Sequence, residues 1–302
     1  MSKISNKSFF ITGATGFLGS RVLMKILEEG GYAYCLRRSQ SNIKRIAHLE
    51  SQIAWVDLDK FNCESFFHNN YIDCIIHCAT DYGRKSVSPM STVEANLVLP
   101  LKLIHYASQA GTSVFINTDT VLNKDLNNYS LSKRQFNDWL QFNSKKILSV
   151  NIALQHFYGP GDDETKFISN IVKELVRGTN RIKLTPGEQE RDFVYIDDVI
   201  SAFALILEKT FSENSRAGYA KYEIGNGKTH TIKEFVEGCK SLIEGCKTEL
   251  DFGAIPYRVN ELMKIETNLV ALQSLGWRPK FTLKEGLYNT IEYYKSEILC
   301  DI

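Results

Sequence analysis

"SFFITGATGFLGSRVL", residues 8–23, decides the fold. Its first five residues form an aromatic and β-branched run of strand type, and residues 17–29 carry apolar side chains at helical spacing. Gly13, Gly16 and Gly19 stand between and just inside them. A strand that breaks on a glycine turn into a helix is the opening of a βαβ unit. Gly13 permits the tight turn, Gly16 lets backbone approach a pyrophosphate, and Gly19 allows close helix–strand packing. The helix mouth, with Thr15, Phe17 and Leu18, then offers N–H groups to phosphates. The spacing is G-x-x-G-x-x-G rather than G-x-G-x-x-G, and a glycine turn without a ligand is the plainer alternative.

Working outward, further strands are expected at 32–36, 53–56, 74–78, 113–117 and 147–153, with helices at 91–110 and 130–143. That alternation predicts an α/β fold, a doubly wound parallel sheet of Rossmann type. After "FYGPGDD" (157–163) the rhythm changes: a helix at 166–177, then "DFVYI", a helix at 197–209, a loop at 212–218 and a mixed remainder. The expected division is a dinucleotide-binding domain, 1–155 plus 192–213, and a smaller mixed α/β substrate lobe, 156–191 plus 214–302.

The bulk properties narrow the class. The chain has 302 residues, 36 basic against 35 acidic, a net charge of +1. That balance supplies no long-range pull toward nucleic acid or an anionic membrane, so phosphate recognition has to be local. No signal peptide or membrane-spanning run is visible. Seven cysteines without a framework suggest reduced thiols and a cytoplasmic location. No cluster has metal-site spacing, so no metal is expected.

In a glycine motif of this kind an acid closing the second strand would hold the ribose of NAD. This strand closes instead on Arg37, Arg38 and Ser39, two guanidiniums and a hydroxyl that suit the extra phosphate of NADP. A plain exposed basic turn is the alternative. Asp57 and Leu58, after the third strand, are candidates for the adenine.

"NNYSLSKRQF" (127–136) places Tyr129 and Lys133 one helical turn apart, on one face. Thr118 closes the strand upstream, at the sheet edge where ligands of open α/β sheets bind. Moving hydride to a carbonyl carbon requires a proton at its oxygen, and a free phenol is a poor base at neutral pH. A Lys charge ~6 Å away at an effective dielectric of ~20 contributes roughly 2.8 kcal/mol. That lowers a phenol by about two pKa units, so a softened Tyr129 is expected.

These residues together resemble the extended branch of the short-chain dehydrogenase/reductase family, the nucleotide-sugar enzymes. The resemblance rests on "TGATGFLG", "HCAT" (77–80), Asn96 in "VEANLVLPLKL", Thr118, Tyr129-x-x-x-Lys133, "YGPGD" (158–162), "RDFVYIDDV" (191–199) and "LGWRP" (275–279), and spans nearly the whole chain. It implies that Tyr129 moves the proton, that Thr118 bonds the reacting oxygen, and that Lys133 holds the nicotinamide ribose. It adds Cys78, Ala79, Thr80 and Asn96 to the cofactor contacts. Arg191 and Arg258 would hold the diphosphate of a sugar nucleotide, although Arg191 could merely pair with Asp197 or Asp198. Asp81, Asp119, His156, Lys166 and Phe167 become candidate substrate contacts, and a homodimer through 91–110 and 130–143 is implied.

Departures from the family pattern narrow the reaction. Sugar 4,6-dehydratases carry Thr-Asp-Glu where this chain has "TDT", so Thr120 replaces the carboxylate that drives water loss. Fucose-synthase-like epimerase/reductases use a Cys there. What remains is redox at one carbon. The expected function is NADPH-dependent reduction of a nucleotide-linked 4-keto-6-deoxy or 3,6-dideoxy hexose for a bacterial surface polysaccharide. A 4-epimerase with tightly held NAD is the alternative, and a non-catalytic NADP-binding sensor the second.

Overall fold

The computed structural model describes residues 2–84, 88–212, 217–258 and 261–300. The strands in chain order are β1 (Ser8–Thr12), β2 (Tyr32–Arg37), β3 (Ile53–Asp57), β4 (Cys74–His77), β5 (Val114–Thr120), β6 (Leu148–Leu154), β7 (His156–Tyr158), β8 (Arg181–Leu184), β9 (Glu190–Tyr195), β10 (Gly218–Ile224), β11 (Thr229–Thr231) and β12 (Glu249–Phe252). The helices are α1 (Phe17–Glu28), α2 (Cys63–Asn69), α3 (Met90–Val93), α4 (Leu99–Gln109), α5 (Asn128–Asn143), α6 (Phe167–Val176), α7 (Ile196–Ser212), α8 (Ile232–Ser241), α9 (Val270–Ser274) and α10 (Leu283–Cys300). The chain divides into two compact units, Met1–Leu154 with Ile200–Tyr222, and Gln155–Val199 with Glu223–Ile302.

The first unit is built on a seven-stranded sheet of order β10-β6-β5-β4-β1-β2-β3, in which β1 to β6 pair in parallel. Phe9, Phe10 and Ile11 of the central β1 are wholly buried, as a strand covered on both faces requires. Beneath one face Phe10, Ile75 and Phe115 pack with Leu103, Ile104, Phe136 and Leu140 of α4 and α5. The order runs one way from β1 to β3 and the other way from β4 onward. The loops after β1 and β4 therefore meet at a topological switch point, where open α/β sheets bind ligands.

The second unit holds a mixed three-stranded sheet, β11-β9-β7, and a parallel pair, β12-β8. Its core includes Phe193 and Phe235, whose ring centroids lie 4.2 Å apart.

Two stretches differ from the sequence division. Residues 192–195 belong to β9 and pair in the small sheet, Asp192 opposite Thr229 of β11 and Phe193–Tyr195 parallel to His156–Tyr158 of β7. Residues 218–224 form the strand beside β6 in the large sheet. The loop read at 212–218 lies partly outside the described residues. Among the elements with no sequence expectation in the first unit are a 3₁₀ stretch, Lys44–Gln52, and α2. The helix expected at 91–110 is interrupted by a π-turn, Glu94–Val98, between α3 and α4.

Candidate active site

The glycine turn is shaped by close approach. Gly13 has φ +72°, and a Cβ there would stand 2.6 Å from the Ala79 nitrogen. A Cβ on Gly19 would be driven into the Gly13 carbonyl. Gly16 caps α1 without a side-chain bond to the helix end. Thr12 ties the two loops: its hydroxyl accepts from the Ala79 N–H at 3.2 Å and meets His77 Nδ1 at 2.8 Å. His77 is fully buried, and burial holds its imidazole well below the usual range, hence neutral. Cys78 is pushed up to about 12 by burial and is no thiolate. The turn thus fits a pyrophosphate, with a cradle that a side chain would fill and a bare helix end facing it. Thr15, Phe17 and Leu18 lie in the same turn, and Arg45 reaches the Thr15 carbonyl at 3.4 Å.

At the end of β2, Arg37 stacks on the Trp55 ring at 4.1 Å, while Arg38 and Ser39 are exposed. The Ser39 hydroxyl contacts Asp57 at 3.2 Å and Asp59 at 2.7 Å. Asp57 also caps the short 3₁₀ turn Leu58–Lys60 by accepting from the Asp59 N–H. The expected basic pocket therefore carries two carboxylates beside its hydroxyl.

The chemistry-bearing residues gather around the end of β5. A reciprocal capping box between Asn127 and Ser130 starts α5 at Asn128 and fixes Tyr129 in its first turn. Lys133 is buried, and its ammonium donates to the Thr118 main-chain carbonyl at 2.9 Å. Burial pushes Lys133 down to about 8. The Thr118 hydroxyl donates to the His77 carbonyl at 2.9 Å. The Thr120 hydroxyl neighbours the Tyr129 phenol and favours its ionised form. Tyr82 packs against Tyr129 at 5.1 Å between ring centroids, and Arg84 lies 4.9 Å over the Tyr82 ring.

The expected softening of Tyr129 is absent. Burial pushes the phenol up, the charges of Tyr82 and Asp119 add to the rise, and the neighbouring Thr120 hydroxyl and the charge of Arg84 only oppose it. The lysine charge is directed at a backbone carbonyl instead.

Three more expected contacts face inward. Asp119 accepts from Lys124 at 2.6 Å, from the Thr120 N–H at 2.7 Å and from Asn151 at 3.0 Å. Its carboxylate lies in the scaffold rather than at a substrate position. Asn96 sits in the π-turn, accepts from the Asp81 N–H at 2.9 Å, and donates to the Asp81 carbonyl at 2.8 Å and to Ser132 at 3.1 Å. It braces the Asp81 backbone and the Ser132 hydroxyl. The Asp81 side chain accepts from the Gly83 N–H at 2.8 Å and shapes its own loop.

The remaining candidates belong to the second unit. Lys166 precedes α6, pairs with the buried Asp162 at 2.9 Å and lies 4.4 Å over the Phe157 ring. Phe167, the first residue of α6, is exposed. Arg191 of β9 is buried and pairs with Glu261, not with Asp197 or Asp198, and also donates to the Leu262 carbonyl at 2.7 Å. His156 is pushed down to about 4 by burial, with the charges of Arg191 and Lys166 adding to it. Those three share one electropositive neighbourhood. Arg258 is exposed, and its carbonyl accepts from the Glu261 N–H at 3.1 Å.

A profile of the NAD dependent epimerase/dehydratase family matches residues 9–225. The chain belongs to that family. Among curated relatives, the CDP-abequose synthase of Salmonella typhimurium is 34% identical over 295 residues, 93% of this chain and 96% of the relative. The CDP-abequose synthase of Salmonella muenchen is 31% identical, with the same coverage. Among solved structures, UDP-glucose 4-epimerase of Thermotoga maritima, crystallised with UDP-glucose, superposes with a TM-score of 0.83 at 21% identity, over 96% of this chain and 99% of that one. UDP-glucose 4-epimerase of Thermus thermophilus, in complex with NAD, gives 0.80 at 22%, over 95% and 99%.

Within this epimerase/dehydratase chain, several residues at the site escaped the sequence. Thr120 was noted only for the carboxylate it replaces, although it lies two residues from Thr118 and so on the same strand face. Tyr82 and Arg84 follow "HCAT" directly but carry no spacing signal. Arg45 and Asp59 are brought in by 3₁₀ turns that have no clear apolar period.

Proposed function

We propose that this protein is an NADPH-dependent reductase of a nucleotide-diphosphate-linked 4-keto-6-deoxy or 3,6-dideoxy hexose, supplying a sugar for a bacterial surface polysaccharide. Two relatives named CDP-abequose synthase, alike over 93% of the chain, support the substrate class. The observation that carries the reaction is the orientation of Asp119. Water loss or epimerisation at a neighbouring carbon needs a second acid–base group beside the tyrosine. Here Thr120 stands there, and Asp119 is turned to Lys124 and Asn151. The residues around Tyr129 can move one proton to one oxygen.

A bound nicotinamide dinucleotide supplies the hydride. The chain's own residues do the rest. Gly13, Gly16 and Gly19 hold the pyrophosphate against the end of α1. Tyr129 gives its proton to the carbonyl oxygen as that oxygen gains charge, and its raised pKa keeps the proton in place until then. Lys133 fixes the end of β5 through the Thr118 carbonyl. Arg38, exposed after β2, and Arg45 beside the glycine turn favour the extra phosphate of NADPH.

A second reading, a 4-epimerase that retains NAD, is favoured by Asp57 and Asp59 at Ser39, since carboxylates there suit a ribose hydroxyl better than a phosphate. Incubation with NADPH and CDP-, dTDP-, GDP- and UDP-linked 4-keto sugars, followed by NMR of the products, separates the two. Reductant consumption with a single 4-hydroxy product supports the reductase. Interconversion of two sugars without consumption overturns it. The proposal includes a cytoplasmic homodimer: Leu131, Trp139 and Phe142 leave an apolar stripe exposed along α5.

A further inference from the structure

We propose that Lys173, a buried lysine of α6, is a positioning residue for the sugar nucleotide: it holds the segment 162–166 so that Lys166 faces the diphosphate. This rests on the sugar-nucleotide reading above and deepens it.

A charge stands here where helix packing asks for none. The buried face of α6 carries Ile168, Ile171, Val172 and Leu175, and Lys173 is buried with them. Burying an ammonium is costly, and an apolar side chain of similar volume usually serves stability as well or better. Stability alone therefore gives no reason for this lysine. What it does is join three elements of the second unit. Its Nζ pairs with Glu164, in the segment between β7 and α6, and with Glu297 of α10 at 3.3 Å. It also lies 5.0 Å over the Tyr294 ring, and the Tyr294 hydroxyl donates to the Asp162 carbonyl at 3.3 Å.

The segment so held is one tight piece. The Asp162 carboxylate accepts from the Asp163 N–H at 2.7 Å, and that of Asp163 from the Thr165 N–H at 2.9 Å. The Lys166 N–H donates to the Asp163 carbonyl at 3.0 Å. Fixing Glu164 and the Asp162 carbonyl therefore fixes Lys166. That residue is the N-cap of α6 and makes no side-chain bond to the helix end. A cation at the positive end of a helix is disfavoured unless an anion joins it. Asp162 is that anion here, at 2.9 Å. Lys166 also lies over the Phe157 ring, and its charge acts with that of Arg191 on His156. A diphosphate brings negative oxygens to the same ammonium and to the bare helix end. Lys173, two helical turns further along, is buried and acts through the segment.

The test uses the full chain and calorimetric titration with CDP, UDP, dTDP and GDP. Lys166→Met should weaken the best-bound of the four about tenfold, the scale of one charge-assisted contact. Lys173→Met, which keeps an unbranched chain in the core, should weaken it about fivefold, a part of that same contact, and leave dinucleotide affinity as it is. In turnover, Lys173→Met should raise KM and leave kcat nearly unchanged. The double variant should bind no more weakly than Lys166→Met alone, because both changes act on one contact. Unchanged nucleotide affinity in either single variant overturns the proposal. So does a double variant weakened by the product of the single losses, or an equal loss of dinucleotide affinity in Lys173→Met, each the mark of general loosening. A wild-type chain that binds none of the four nucleotides would instead overturn the sugar-nucleotide reading itself.

Discussion

The ammonium of Lys133 donates to the main-chain carbonyl of Thr118 across 2.9 Å, so a side chain of α5 holds the last residues of β5 in place. Burial disfavours the charged form of this lysine, whose pKa falls from 10.5 to about 8. Between those values the unfolded chain binds the extra proton, so this group makes stability rise with pH across that window. Lys133→Met should flatten that rise when urea unfolding is compared at pH 8, 9 and 10, and should lower kcat by loosening the strand end.

Tyr129→Phe removes the phenol that serves as proton donor in the proposed reaction while keeping the ring that packs on Tyr82. Turnover should fall by about 10²–10⁴-fold, the usual contribution of general acid–base catalysis. Fluorescence titration with NADPH should give nearly the wild-type Kd.

In the proposed NADPH site Arg38 and Asp59 should pull cofactor choice in opposite directions. Arg38→Ala should lower the NADPH-to-NADH ratio of kcat/KM by about tenfold, one bidentate phosphate contact. Asp59→Asn, which removes a carboxylate 2.7 Å from Ser39, should raise it. Equal ratios in both variants would move the phosphate site elsewhere.

His156 is neutral in the fold down to about pH 4, against 6.5 in the unfolded chain. The unfolded state therefore binds more protons between those values, and the stability this group contributes above pH 6.5 is lost as pH falls toward 4. His156→Gln should shrink the stability difference between pH 7 and pH 4.5 in denaturant titrations.

The pair of Asp119 with Lys124 is a support for the same strand end. Lys124→Met leaves a buried carboxylate with only Asn151 and the Thr120 N–H as partners, at a cost of about 2 kcal/mol. Asp119→Asn should cost less, and the double variant less than the sum, because the unpaired charge is gone.

Much of the fold was legible because it rests on local patterns. The glycine spacing fixed the first turn, and the six apolar runs became strands with ends within three residues of those expected, since parallel strands buried on both faces read as continuous hydrophobic stretches. The placement of Tyr129 and Lys133 one turn apart on α5 followed from helical period alone. What their side chains bond to did not. Whether Lys133 reaches a phenol or a carbonyl, and whether Asp119 faces a ligand or Asn151, depends on strand register and on neighbours far apart in sequence. Composition was equally silent on Asp57 and Asp59 gathering at Ser39, since turn geometry brings them there.

The widened turn at Glu94–Val98 carries an evolutionary consequence. A π-turn amounts to one extra residue lodged in a helix. Losing one residue would restore regular winding with the flanking turns kept in place, yet it would remove the widened turn that holds Asn96 against the Asp81 backbone and Ser132. Drift by single deletion is therefore closed to this segment, and descendants of the chain should keep its length even where they change its letters.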